Sequence, residues 1–212
     1  MMKRSMRQTR RKFLETALAM PAAFLLASPG EKVIGGLWHA AAAPQPPQLP
    51  TPSCPDPDDV TLRQTEGPFF KPSSPRRTSL LEPGITGTKV VVAGYVLSTA
   101  CRPIAGALVD FWHADDRGDY DNTGFRLRGH QFTDSAGRYA LETIVPGLYP
   151  GRTRHFHVKV QAANQPVLTT QLYFPGEPRN QADGIFNPKL VTTVRDTASG
   201  KVATFNFVLR LQ

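Results

Sequence analysis

Residues 155–162 read His-Phe-His-Val-Lys-Val-Gln-Ala, a strict alternation of polar and apolar side chains. In an extended strand, successive side chains point to opposite faces. Phe156, Val158, Val160 and Ala162 therefore share one face, and His155, His157, Lys159 and Gln161 share the other. A helix would scatter this pattern around its circumference. The segment is predicted to be a strand with an apolar layer against one side. It also sets two imidazoles side by side, roughly 6.6 Å apart along the backbone.

Other segments carry the same kind of signal. Residues 89–97 form a β-branched run, 107–114 alternate, and 138–144 follow the turn Asp134-Ser135-Ala136-Gly137. Residues 168–174 are a further candidate strand. Segments 190–194 and 202–211 read as a closing hairpin around 197–200, with Ala203, Phe205, Phe207, Leu209 and Leu211 turned to the core. Helical periodicity is scarce and no internal repeat appears. Short strands separated by turns predict an all-β fold, an antiparallel β-sandwich.

The start of the chain has a different character. Thr9-Arg10-Arg11-Lys12-Phe13-Leu14 is a twin-arginine pattern, followed by an apolar run over 17–27. That run is too short to span a bilayer, and its flanks are those of a signal peptide. Glu15 stands where a basic residue is usual, and Ala40 to Ala43 offer a small-residue cleavage site. An amphipathic N-terminal helix that is retained is the competing reading. Three parts are expected: a signal peptide at 1–43, a Pro-rich extended linker at 44–57, and one sandwich domain at 58–212. Export by the twin-arginine route would place the protein in the periplasm or outside the cell, with no stable membrane anchor.

The charge of +8 is concentrated early, since residues 1–43 hold seven Lys or Arg against two acids. The remainder has 18 basic and 15 acidic residues, too near balance for a nucleic-acid-binding surface. The two cysteines, Cys54 and Cys101, read as a disulfide in an oxidising compartment, although two unpaired buried thiols are the alternative. Closing that loop would contribute up to about 4 kcal/mol.

Two tyrosines join the histidines within 38 residues, in Gly118-Asp119-Tyr120 and Pro146-Gly147-Leu148-Tyr149. Tyrosine is a rare metal ligand because its phenol must first lose a proton. A hard trivalent cation such as Fe(III) favours that loss, and neutral imidazoles complete the set. Taken singly, a His-x-His is commonly a polar strand face, and a Tyr after a turn is commonly packing. A zinc hydrolase using His155 and His157, with His113 or His130 as third ligand, leaves both tyrosines unexplained. A two-histidine, one-carboxylate site lacks an acid in the residues following His157. An exported sandwich that binds carbohydrate or protein without catalysis stays open.

The ordered motifs resemble those of the intradiol ring-cleavage dioxygenases, the catechol and protocatechuate dioxygenases. They run through Thr65-Glu66-Gly67-Pro68-Phe69-Phe70, Cys101-Arg102-Pro103-Ile104-Ala105-Gly106-Ala107, Trp112-His113-Ala114-Asp115, Pro146-Gly147-Leu148-Tyr149, Arg152-Thr153-Arg154-His155-Phe156-His157 and Thr170-Gln171-Leu172-Tyr173-Phe174. The resemblance covers roughly 54–174 and weakens beyond. It implies a β-sandwich with Fe(III) held by Tyr120, Tyr149, His155 and His157. It implies a catechol-type substrate and O2 as partners, with cleavage between the two hydroxylated carbons to a muconate-type diacid. Tyr149 is then the tyrosinate displaced by substrate, Arg152 stabilises charge developing on the ring, and Gln171 lies in the pocket. Phe69 and Phe70 are candidates to line the ring slot or to pack in the core. The short stretch between Tyr120 and Tyr149 is similar to exported single-domain members.

Overall fold

The strand predicted at 155–162 forms as His155–Gln161, with Phe156, Val158 and Val160 fully buried on its inner side. The computed structural model describes residues 60–212; the segments expected to be a signal peptide and a Pro-rich linker, and Cys54, lie outside the described residues. Nine strands follow in order: β1 Lys89–Ser98, β2 Leu108–Trp112, β3 Arg128–Phe132, β4 Arg138–Ile144, β5 His155–Gln161, β6 Leu168–Tyr173, β7 Thr193–Thr197, β8 Gly200–Thr204 and β9 Phe207–Leu209. Among the described residues, no helix is long and apolar enough to cross a membrane.

The strands form two sheets. One runs β4-β1-β8-β7, with β9 also on β1; the other runs β3-β2-β5-β6. The inner faces meet in one apolar core. Val90, Val92 and Leu141 come from the first sheet; Val109, Phe111 and Leu172 come from the second. Each such side chain contributes about 1.5–3 kcal/mol when fully buried. The sandwich is the one expected, and its second sheet is antiparallel throughout. The first sheet is mixed, because β1 runs parallel to both β8 and β9.

The closing hairpin turns between Thr197 and Gly200 as predicted. Its outer limits differ. Leu190 belongs to a 3-10 turn, Pro188–Leu190, capped by the Asn187 side chain, and the strand begins only at Thr193. The stretch 202–211 divides into β8 and β9, because the Asn206 side chain accepts a hydrogen bond from the Tyr95 amide at 3.1 Å and interrupts the ladder. Leu211, expected in the core, is 46 % exposed beyond the end of β9.

Register decides what the second sheet presents outward. Arg128 pairs with Trp112, Trp112 with His157, and His157 with Gln171, so one transverse row carries all four. The neighbouring row is His130, Asp110, Lys159 and Thr169. Before β1, the chain crosses this face. It leaves the β6 edge at Gln64, whose amide donates to the Thr169 carbonyl, and reaches the β3 edge at Arg76, which bridges His130. The outer face is thereby a covered polar layer.

Candidate active site

Strand alternation points both β5 histidines into this covered layer, where their Nε2 atoms stand 3.1 Å apart. His155 Nδ1 lies 2.7 Å from the Thr153 carbonyl, which can only accept, so Nδ1 carries the proton and Nε2 a lone pair. His157 stacks flat on Trp112, ring centroids 4.8 Å apart. The Tyr120 hydroxyl reaches to 3.3 Å from His155 Nε2. The Tyr149 ring stands edge-on to Tyr120, with centroids 5.9 Å apart. The four residues separated along the sequence thus meet around one point.

Backbone contact between two loops brings the tyrosines together. The Gly147 amide donates to the Asp115 carbonyl at 2.6 Å, and the Asp115 amide donates to the Asp119 carbonyl at 2.8 Å. Gly118 adopts φ +96°, and a Cβ there would collide with the Leu148 carbonyl. Only glycine permits that approach.

The segment 65–70 straps the site. The Thr65 carbonyl accepts from Gln171 Nε2 at 3.0 Å, and Glu66 pairs with Lys159. Gly67, at φ +70°, lies so close that a Cβ would come within 3.3 Å of the His157 ring. Phe69 stacks on Tyr120 at 4.3 Å and meets Tyr149 edge-on at 5.3 Å. Phe70 packs edge-on against Trp112 and lies under the Lys159 ammonium.

Arg152 sits at the margin, held on two sides. Its Nε donates to Asp183 at 2.8 Å and its Nη2 to the Gln171 amide oxygen at 2.6 Å. Asp183 also accepts from the Thr153 amide and the Ile185 amide. The Tyr173 hydroxyl lies 3.1 Å from the same Gln171 oxygen. These contacts fix the guanidinium direction before any ligand arrives. They also hold the Asp183 carboxyl below its usual range against the opposing effect of burial.

Burial, aided by the Arg152 charge, pushes His155 down to about 4. Burial and the neighbouring His155 push His157 well below the usual imidazole range, so both imidazoles are neutral at pH 7. Burial pushes the Tyr120 phenol well up, and Arg152 and Arg128 offset part of that. Two neutral imidazoles therefore aim at each other across 3.1 Å, beside a phenol, while His157 Nδ1 is buried without a partner. Two Nε2 atoms this close are satisfied when one ring donates to the other, and a cation between them would take up both lone pairs instead. Among the described residues, no cluster of three or more His, Cys, Asp or Glu is placed to hold a metal, and the side-chain oxygen beside His155 Nε2 is the Tyr120 phenol. Phenols with imidazoles suit a hard trivalent ion. The residues fit iron.

The family model described as Dioxygenase matches residues 65–212. The chain belongs to the intradiol ring-cleavage dioxygenase family. The match continues to the C-terminus, past residue 174 where the motif resemblance thins. Among solved structures, the dioxygenase domain of a dioxygenase–carbohydrate-binding fusion from the cellulolytic bacterium Streptomyces sp. SirexAA-E is 58% identical, with a TM-score of 0.71. It covers 73% of this chain and 100% of that one. Catechol 1,2-dioxygenase from Pseudomonas arvilla C-1 is 27% identical with a TM-score of 0.62, over 71% of this chain and 61% of that one. Hydroxyquinol 1,2-dioxygenase from Rhizobium sp. is 30% identical over 58% of this chain and 50% of that protein. The chain spans about half the length of the first curated relatives it matches.

In this family member, the predicted metal-ligand and pocket residues Phe69, Tyr120, Tyr149, Arg152, His155, His157 and Gln171 fall at or beside one centre. Tyr120, Tyr149, His155 and His157 converge; Arg152 and Gln171 form one hydrogen-bonded pair; Phe69 stacks on a tyrosine. The alternative third ligands stand apart. His113 is committed at both nitrogens, to the Ala114 carbonyl and the Thr143 hydroxyl, each at 2.7 Å. His130 lies in the next row, 3.1 Å from the Ser74 hydroxyl. Sequence reasoning missed Trp112, Asp183 and Arg128 as parts of the site. Trp112 falls eight residues before Tyr120 in an alternating run, a legible position. Asp183 sits in an irregular segment with no pattern to flag it.

Proposed function

We propose that this chain holds Fe(III) through Tyr120, Tyr149, His155 and His157 and uses O2 to cleave a catechol-type aromatic. Cleavage falls between the two hydroxylated carbons and yields a muconate-type diacid. The observation that supports this reading most is the meeting of the Tyr120 hydroxyl, His155 Nε2 and His157 Nε2 within 3.1–3.3 Å, beside Tyr149. Bound there, the ferric ion supplies a Lewis acid that favours ionised phenols and withdraws electron density from a catecholate.

The chain's own residues account for the remaining tasks. The imidazoles stay neutral through burial and so keep their lone pairs available. Tyr149 is half-buried on a loop, and no described residue hydrogen-bonds its hydroxyl, which would leave its oxygen, once ionised, available to take a substrate proton. Arg152 is aimed by Asp183, which suits its guanidinium to stabilise negative charge developing on the ring. Gln171 is oriented by Arg152 and Tyr173, and Phe69 contributes an apolar wall that excludes water.

Oxygen uptake and product analysis over a panel of substituted catechols test this. The expected result is O2 consumption matched by a ring-opened diacid for at least one of them. An iron-loaded protein that opens no catechol ring contradicts the proposal.

The same reading extends to export. Arg10 and Arg11 ahead of an apolar run support the twin-arginine route, and Cys54 with Cys101 supports a disulfide formed after export. Replacing both arginines with lysine is expected to strand the precursor in the cytoplasm; unchanged export points to another route.

A further inference from the structure

We propose that Arg128 is a positioning residue that fixes the Tyr120 phenol, an inference resting on the iron-site reading above. Arg128 opens β3 and is 1 % exposed. Burying a guanidinium is costly unless it is paired, yet among the described residues no carboxylate lies within ion-pair distance of it. Its partners are backbone carbonyls instead. Nη1 donates to Phe69 at 2.6 Å; Nε and Nη2 both donate to Asp121, at 3.1 and 2.8 Å.

Those two carbonyls belong to the two segments that bound Tyr120. Asp121 is the next residue in the chain, and the Phe69 ring is stacked on the Tyr120 ring with an interplanar angle of 13°. The contacts close a circuit: guanidinium to Phe69 carbonyl, Phe69 ring to Tyr120 ring, Tyr120 backbone to Asp121 carbonyl, and back. A ring gripped from its backbone and from its face has little freedom left. Its hydroxyl is thereby held beside His155.

The intervening loop is built to deliver the guanidinium. The Asp121 carboxylate accepts from the amides of Thr123, Gly124 and Arg126 at 2.9, 2.7 and 2.9 Å, winding the chain around itself. Leu127 then takes a left-handed φ of 54°, a conformation that a residue with a Cβ adopts only under constraint. Arg77 secures the turn from outside, its Nε donating to the Arg128 carbonyl at 2.9 Å. That strain is spent on one result, an inward-pointing fork. Lysine carries the same charge but no planar fork to span two carbonyls.

The test uses the full chain with Arg128→Lys, Phe69→Leu and the double variant. Three quantities are read: the phenolate-to-iron absorption band after ferric loading, kcat and KM separately, and amide exchange over 119–124 in the metal-free protein. Each single variant is expected to shift the band, to lower kcat about tenfold or more with KM changed less, and to speed exchange in that loop. The double variant is expected to go little beyond the larger single effect, because either change opens the same circuit. If Arg128→Lys fails to fold, Phe69→Leu carries the same readouts. A wild-type band, kcat and exchange in a folded Arg128→Lys, or fully additive effects, overturns the inference while leaving the iron site intact. A wild-type protein with no such band sinks the iron reading itself, and this inference with it.

Discussion

Tyr120 and Tyr149 face each other with ring centroids 5.9 Å apart, yet the chain holds them in different ways. Tyr120 is stacked by Phe69, followed by an Asp121-centred turn, and reaches its hydroxyl to His155. Tyr149 stands on a loop held through its backbone. The Arg152 amide takes the Tyr149 carbonyl at 3.0 Å, and Arg154 takes the Pro146 carbonyl at 2.7 Å. The Tyr149 ring meets Phe69 and Tyr120 only edge-on, and exposed Pro150 and Gly151 follow it. One phenol is braced on its ring face and at its hydroxyl; the other is braced only through its backbone and ring edges. On the proposed iron reading, the first phenol suits a permanent donor and the second the one that substrate displaces.

The largest expected effect breaks the pair apart. Tyr120→Phe is expected to lower iron content and to cut turnover on the order of 10³-fold, since both a fixed donor and its hydrogen-bond geometry are lost. Tyr149→Phe is expected to keep iron, shift the visible band and cost about 10²-fold in turnover, with folding stability within about 1 kcal/mol of wild type. Equal losses of iron in both variants would show that the permanent and displaced roles are not divided this way.

Next in size is the arginine that neither tyrosine carries. Arg152→Ala is expected to keep iron and colour while kcat/KM falls about 10²-fold. Asp183→Asn, which leaves the charge but loosens its aim, is expected to cost about tenfold. Loss of iron from Arg152→Ala would move that residue into the ligand set and undo the comparison.

A further effect, on folding rather than turnover, concerns the imidazoles of the metal-free protein. Burial lowers both His113 and His155 to about 4 from 6.5. The unfolded chain therefore binds more protons between those values, and folding stability is full above about pH 6.5 and lost as pH falls toward 4. The slope is up to about 1.4 kcal/mol per pH unit for each imidazole. Denaturant melts at several pH values check this, and His113→Gln should flatten the slope. A stability that rises on acidification through this window contradicts the burial argument.

What the sequence made legible followed from alternation. In β5, side-chain parity alone separated Phe156, Val158 and Val160 from His155 and His157. Strand β3 gave no such signal because Gly129 and Gln131 occupy its inner positions, with Gln131 accepting the Ala140 amide rather than packing as a hydrophobe. Arg128 was hidden for the same reason. A buried guanidinium satisfied by carbonyls from residues 69 and 121 leaves no local pattern, because its partners are set by tertiary contact. The parallel pairing of β1 with β8 was equally invisible, since the valines of β1 suit either direction. Ligand identities were readable from residue type and order; the supports that aim them were not.

The most direct test of the whole account is metal analysis of the purified protein together with its visible spectrum. The account predicts close to one ferric ion per chain and a broad phenolate-to-iron band that shifts when a catechol is added. Stoichiometric zinc, or iron without such a band, would contradict it.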